Sequence, residues 1–169
     1  SNDAGKWTAG KWGNGLTFTG GDDSLYFAHN TLFDNSGSFT IMAWIKPSTA
    51  IDNTVILFGK HDGSSGYKVT GNGGVINLVC NGSTSASTIS PGTGTWRHVA
   101  VVFSFGTVRF YYDGSPVNAA SGYTVSTNNA KILIAKGFRG SIDDVRFYGQ
   151  MLSDDDIEMI YSRGFRASE

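Results

Sequence analysis

Residues 140–161 read GSIDDVRFYGQMLSDDDIEMIY and hold five of the chain's twelve aspartates. The stretch divides into two halves with different periodicities. SDDDIEMIYSRG has a helix's start and stop signals. Ser153 is a good N-cap, and Asp156, three residues on, completes a shortened capping box. Leu152 precedes the cap and can pack on Ile157 as a hydrophobic staple. Asp154 and Asp155 fall in the first turn, where negative charge meets the positive end of the helix dipole. Ile157, Ile160 and Tyr161 form one apolar stripe, Arg163 lies in the last turn, and Gly164 suits the C-terminal cap. These three aspartates therefore have a structural explanation. GSIDDVRFYG instead has a strand pattern, in which neighbouring side chains point to opposite faces. Asp143 and Asp144 cannot then face one substrate as a carboxylate pair. One lies on or near the core side and needs a partner, because a buried unpaired carboxylate is too costly. Arg146, two positions on, suits Asp144. Asp143 is left for a backbone turn or a cation.

The strand pattern extends through the chain. SFTIMAWIKP, 38–47, puts Phe39, Ile41, Ala43 and Ile45 on one face and Thr40, Met42, Trp44 and Lys46 on the other. WRHVAVVFS puts Arg97, Val99, Val101 and Phe103 opposite Trp96, His98, Ala100 and Val102. TVRFYYDGSPV sets Val108, Phe110 and Tyr112 against Arg109 and Tyr111 and runs into an Asp113-Gly114 turn. TGNGGVINLVCNG is a hairpin arm bounded by Asn72-Gly73 and Asn81-Gly82. Short strands separated by Gly, Asn and Asp, with one convincing helix at the end, predict a two-sheet antiparallel sandwich. Residues 1–169 are read as a single domain.

The 169 residues carry a formal net charge of −1, and charged residues make up only 16%. No basic surface points to nucleic acid. No apolar run approaches membrane-spanning length, so no membrane insertion is expected. No signal peptide opens the chain, which is read as a mature or excised piece. The one cysteine, Cys80, excludes an internal disulfide and a cysteine-based zinc site. It alternates with Ile76 and Leu78 and is read as a small buried hydrophobe.

Catalytic patterns are hard to assemble. The two glutamates, Glu158 and Glu169, both fall at the C-terminal end, whereas two-carboxylate glycoside hydrolysis needs an acid and a base or nucleophile converging on one bond. His29, His61 and His98 lack metal-ligand spacing. There is no G-x-S-x-G elbow. TGNGGV leads into a strand, as a turn does, rather than opening a helix as a phosphate loop does.

Four stretches carry a resemblance: GKWGNGLTFTGGDDSLYF, SFTIMAWIKP, TWRHVAVVFSFGTVRFYYDGSPV and GSIDDVRFYGQMLSDDDIEMIY. In this order they resemble the laminin-G-like group of concanavalin A-like domains over nearly the whole chain. The resemblance implies an all-β jelly-roll sandwich with one concave sheet and a short C-terminal helix. The E-x-D-x-E-like strand motif of sandwich-fold glucanases is absent. The resemblance further implies that the GGDD turn and the IDD strand come together, often around calcium. Carried over, the metal candidates are Asp23 and Asp143, with carbonyls around Gly20. The alternative is that Asp23 caps a turn and Asp143 bonds backbone amides.

Sugar-binding modules pair an aromatic platform with a few polar side chains. Two candidate places follow. Trp44, His98 and Tyr111, with Arg109 and Lys46, line a groove if their face is the concave sheet; otherwise loops or the terminal helix cover them. The loop edge offers Lys60, His61, Asp62 and Tyr67 in GKHDGSSGY, and Phe138 and Arg139 in KGFRG. Trp7 and Trp12 pack the N-terminal arm. The leading expectation is a non-catalytic, monomeric carbohydrate-binding module attached to other domains of a secreted or cell-surface protein, taking a polysaccharide or glycan. The alternative is a structural or adhesive module that binds protein or nothing; a polysaccharide lyase or glycoside hydrolase comes third.

Overall fold

Thirteen strands form among the described residues, which are 6–163 of this computed structural model. A seven-stranded sheet runs in the order β1 (Trp7–Ala9), β2 (Asn14–Thr19), β13 (Arg139–Tyr148), β4 (Ser38–Pro47), β9 (Arg97–Ser104), β10 (Thr107–Tyr112), β11 (Ser115–Ser121). A six-stranded sheet runs β3 (Leu25–Phe27), β12 (Ile132–Lys136), β5 (Ile56–His61), β6 (Gly66–Asn72), β7 (Val75–Cys80), β8 (Ser83–Ala86). Every pairing is antiparallel. The helix α1 spans Asp154–Arg163. This is the expected two-sheet jelly roll with a short C-terminal helix.

The alternation is realised residue by residue. Phe39, Ile41, Ala43 and Ile45 of β4 face the six-stranded sheet and join one core with Val99, Val101, Phe103, Val108 and Phe110. Ile76, Leu78 and Cys80 of β7 enter it from the other side, and burial pushes the Cys80 thiol up to about 12. Phe39 stacks on Tyr67 at 4.3 Å and on Phe103 at 5.2 Å. The β10–β11 turn is Asp113-Gly114, with φ of 47° and 82°. That is the left-handed pair a tight hairpin turn requires.

The other face of the seven-stranded sheet is buried as well. Met42, Ala100, Val102 and Tyr111 form a second core with Leu152 and Ile157, which α1 and its approach lay over them. The capping box is present: the Asp156 amide donates to Ser153 Oγ at 3.2 Å, and the Ser153 amide donates to Asp156 Oδ2 at 3.0 Å. Asp154 has a further task, accepting the Tyr111 hydroxyl at 2.7 Å and tying helix to sheet. Gly164, expected as the C-terminal cap, lies outside the described residues.

β13 departs from plain alternation. Its register against β4 shifts between Asp143 and Arg146, and Asp144 takes a φ of 50°. This bulge lets Arg146 bind Asp144 bidentately, Nε to Oδ1 and Nη2 to Oδ2, both at 2.8 Å. Asp143, 9% exposed, accepts the backbone amides of Trp12 at 2.8 Å and Asp144 at 2.7 Å.

Candidate ligand-binding face

The expected aromatic groove is closed. Trp44, His98 and Tyr111 do share the outward face of the seven-stranded sheet, but they are 3%, 1% and 1% exposed. Trp44 stacks on Tyr161 of the helix at 5.4 Å, and the edge of Trp12 meets it at 6.3 Å. Lys11 places its ammonium 4.4 Å from the Trp44 ring centre. The apolar stripe of α1 has to be buried somewhere, and this face takes it. Trp12 thus packs the N-terminal arm, whereas Trp7 stays 61% exposed.

Half of the loop-edge set also turns inward. The β5–β6 turn is only residues 62–65, so Lys60 and Tyr67 are paired strand residues on the core side. Tyr67 donates its hydroxyl to the Phe33 carbonyl at 2.9 Å. Lys60 is 1% exposed, and its ammonium is paid for by Asp34 at 2.5 Å and by the carbonyl and side chain of Asn128. It therefore closes one end of the sandwich. Phe138 is 1% exposed in the core. Arg139 is exposed and lies over Gly20, where a Cβ would sit 2.7 Å from Arg139 Cγ. Asp62 organises its own turn, accepting from the amides of Ser64 at 2.9 Å and Ser65 at 2.7 Å. Those bonds, with the Ser65 and Ser64 hydroxyls, hold its carboxyl well below the usual range.

The metal candidates do not converge. Asp23 binds Lys6 and accepts the Thr19 amide at 2.9 Å. Thr19 pairs with Arg139, four residues along β13 from Asp143, a separation of about 13 Å at strand rise. Both carboxylates are already engaged, and among the described residues no cluster of three His, Cys, Asp or Glu could hold a metal ion. Hard cations want six to eight oxygens. The residues carried over from the resemblance do not fit one calcium site.

What remains is the outward face of the six-stranded sheet. The register sets one continuous row across all its strands: Tyr26, Leu133, Gly59, Lys68, Val79, Thr84. The helix lies on the other sheet. At one edge Tyr26 is 67% exposed, with the Lys131 ammonium 4.9 Å from its ring centre. One row along, His61 shares the outward side of β5 with Gly59. Its Nδ1 accepts the Gly63 amide at 2.9 Å, so Nε2 carries the proton. Burial, reinforced by Lys68 and opposed by Asp62, lowers the His61 pKa and keeps the ring neutral at pH 7. On the other side of the Lys68 row, Asn77 is 3% exposed and faces the same way. His61 Nε2 and Asn77 Oδ1 are both buried with no partner among the described residues. One is a donor and one an acceptor, on a single sheet face. Unpaired buried polar groups are rare, and each calls for an explanation.

Of the sequence candidates, only His61 lies on this face. Tyr26, Lys68, Lys131 and Asn77 carry no motif or spacing that marks them in the sequence. SLYF and KILIAK do contain the alternation that turns Tyr26, Lys131 and Leu133 outward, but which face stays open is set by where α1 docks.

Residues 19–158 match a laminin G-type family described as the Concanavalin A-like lectin/glucanases superfamily. The chain belongs to that superfamily. Within reach of this concanavalin A-like domain by sequence is the adhesion G-protein coupled receptor V1 of Danio rerio, 25% identical over 147 residues. That match covers 75% of this chain but 2% of the receptor. Domain 4 of AbnA, a GH43 extracellular arabinanase from Geobacillus stearothermophilus, solved in complex with arabinotriose, superposes with a TM-score of 0.77 at 20% identity. The match covers 92% of this chain and 80% of that one. The binding domain of Paraclostridial Mosquitocidal Protein 1 gives 0.75 at 16% identity, covering 92% of this chain and 44% of that one. Both structural neighbours share the fold; one is a domain of an extracellular arabinanase and the other the binding domain of a mosquitocidal protein.

Proposed function

We propose that this chain is a non-catalytic carbohydrate-binding module of a larger extracellular or cell-surface protein, and that it takes a glycan chain across the outward face of the six-stranded sheet. The observation that carries the reading is the exposed Tyr26 ring, with the Lys131 ammonium 4.9 Å from its centre, in one row with Lys68 and Thr84 on that face. The Tyr26 ring offers an apolar face for a sugar ring to stack on, and the Lys68 and Lys131 ammonium groups donate to sugar hydroxyls. The arabinotriose complex of the AbnA domain lends support by likeness of fold. Weak, reversible binding in the micromolar to millimolar range, about −4 to −8 kcal/mol, suits so shallow a contact.

Affinity gel electrophoresis against a panel of neutral and acidic polysaccharides, arabinan included, tests this. At least one polysaccharide retards the wild type. Tyr26→Ala and Lys68→Ala each weaken that retardation roughly tenfold, as expected for one lost contact of about 1.4 kcal/mol. The idea fails if no polysaccharide retards the protein, or if both variants migrate as the wild type does.

A further inference from the structure

Lys60 raises a chemical question beyond its packing. Its side chain is 2% exposed, and its nitrogen meets Asp34 Oδ1 at 2.5 Å and Asn128 Oδ1 at 3.3 Å. A buried ammonium needs a partner, and this one has a carboxylate and a carboxamide side by side. The three residues come from separate parts of the chain. Lys60 belongs to β5, Asp34 follows the 3₁₀ turn Thr31–Phe33, and Asn128 lies between β11 and β12. Phe33, Gly66 and Tyr67 close around them and leave no cavity that would hold a water. Burial, and then the Asp34 charge, push the Tyr67 hydroxyl above its ordinary value, as a dry site does.

The Asn128 amide is held in one orientation. Its Nδ2 donates to the carbonyls of Ser65 at 2.9 Å and Lys60 at 3.4 Å, while its Oδ1 accepts the Ala130 amide at 2.9 Å. Gly66, at a φ of 95°, makes the space, since a Cβ there would collide with Asn128 Nδ2. Two residues earlier the Ser126 amide donates to Asn81 Oδ1 at 3.0 Å, which fixes this segment against β7. A carbonyl bond is about 1.2 Å long, so Asn128 Cγ lies within about 4.5 Å of the Lys60 nitrogen. Reacting atoms meet at about 3–3.5 Å, a small closing motion away. Asp34 Oδ1 is buried and has no hydrogen-bond partner among the described residues besides its contact with Lys60.

We propose that Lys60 and Asn128 join in an isopeptide bond, with Asp34 carrying the protons. Asp34 takes one proton from Nζ, and the freed lone pair attacks Asn128 Cγ. A C–N bond forms, and Oδ1 becomes an oxyanion held by the Ala130 amide. Asp34 delivers its proton to Nδ2 and takes a second from Nζ. The Cγ–Nδ2 bond then breaks, the carbonyl re-forms, and ammonia leaves with the last proton as ammonium. Nothing is oxidised or reduced, and no co-reactant is consumed. The product ties β5 to the segment ahead of β12 across 68 residues, in a chain whose single cysteine cannot form an internal disulfide.

The intact mass of the purified, denatured chain tests it. The wild type is lighter than its sequence by one ammonia, about 17 Da. Trypsin leaves the Lys60–His61 bond uncut, and fragmentation finds one branched peptide joining Lys60 to Asn128. Asp34→Asn and Asn128→Ala each keep the full mass of their own sequences. Both melt roughly 10 °C lower than the wild type, as expected when a loop of this length is freed. A wild-type mass equal to the sequence, tryptic cleavage after Lys60, or an ammonia deficit that maps to an unbranched peptide would overturn the bond. The same deficit in Asp34→Asn would overturn the role of Asp34. The wild-type measurement decides the bond even where a variant fails to fold.

Discussion

Acidification from pH 7 to pH 4 tests the second core through His98. This ring is 1% exposed, lies 5.3 Å from Trp44 and 5.8 Å from Tyr161 between ring centres, and its Nδ1 has no partner among the described residues. Burial is the largest cause holding its pKa down to about 4; Asp144 and Asp113 oppose it, and Arg146 reinforces it. The folded state therefore takes up its proton later than the unfolded chain, whose histidine titrates near 6.5. Stability from this group is complete above pH 6.5 and is lost as pH falls from 6.5 toward 4. At about 1.4 kcal/mol for each pH unit between those values, the loss reaches roughly 3 kcal/mol. That is a large share of the 5–15 kcal/mol or so that holds an ordinary domain together. Urea denaturation at steps from pH 7 to pH 4, for wild type and His98→Gln, isolates the effect. The carboxylates and the milder contribution of His61 are common to both proteins and cancel. The variant starts from a different stability at pH 7, but its curve is flatter between pH 6.5 and 4.5. Parallel curves for the two proteins would refute the reasoning.

Two further outcomes follow from the packing. Ile157→Ala empties a site that is 0% exposed beneath α1 and costs about 2–5 kcal/mol in chemical denaturation, with tryptophan emission moving red as Trp44 gains water; a loss below about 1 kcal/mol would mean that the helix is not docked as described. Asp143→Ala leaves the amides of Trp12 and Asp144 without their acceptor and lowers stability by about 1–3 kcal/mol in the same assay; an unchanged midpoint would show those bonds to be dispensable.

The fold is legible in the sequence where the physics is local. The inward faces of β4, β9 and β10, the Asp113-Gly114 turn, the Ser153 capping box and the Asp144–Arg146 pair all follow from spacing and propensity. The site was far less legible. Alternation places Trp44, His98 and Tyr111 on a face opposite Phe39, yet it does not say that α1 will roof that face, because helix docking is a tertiary choice. Lys60 shows the same limit from another side. A lysine in a Gly- and Ser-rich stretch looks like a loop residue, and only the pairing of His61 with Gly66 reveals that the strand continues through it. Its partners, Asp34 and Asn128, come from segments distant in sequence. Register, which spacing along the chain does not reveal, sets the Thr19 end of β2 that leads to Asp23 opposite Arg139, four residues along β13 from Asp143.

The docking of α1 has a consequence for how this domain can diversify. The middle strands of one sheet, β4 and β9, are buried on both faces, so changes there threaten folding. Tyr26, Lys68, Thr84 and Lys131, on the other sheet, belong to neither core. Substitutions at those positions leave the body of the sandwich standing, which separates the residues that must stay from those free to drift. A lineage built on this chain can therefore change what it recognises many times over while inheriting the same scaffold.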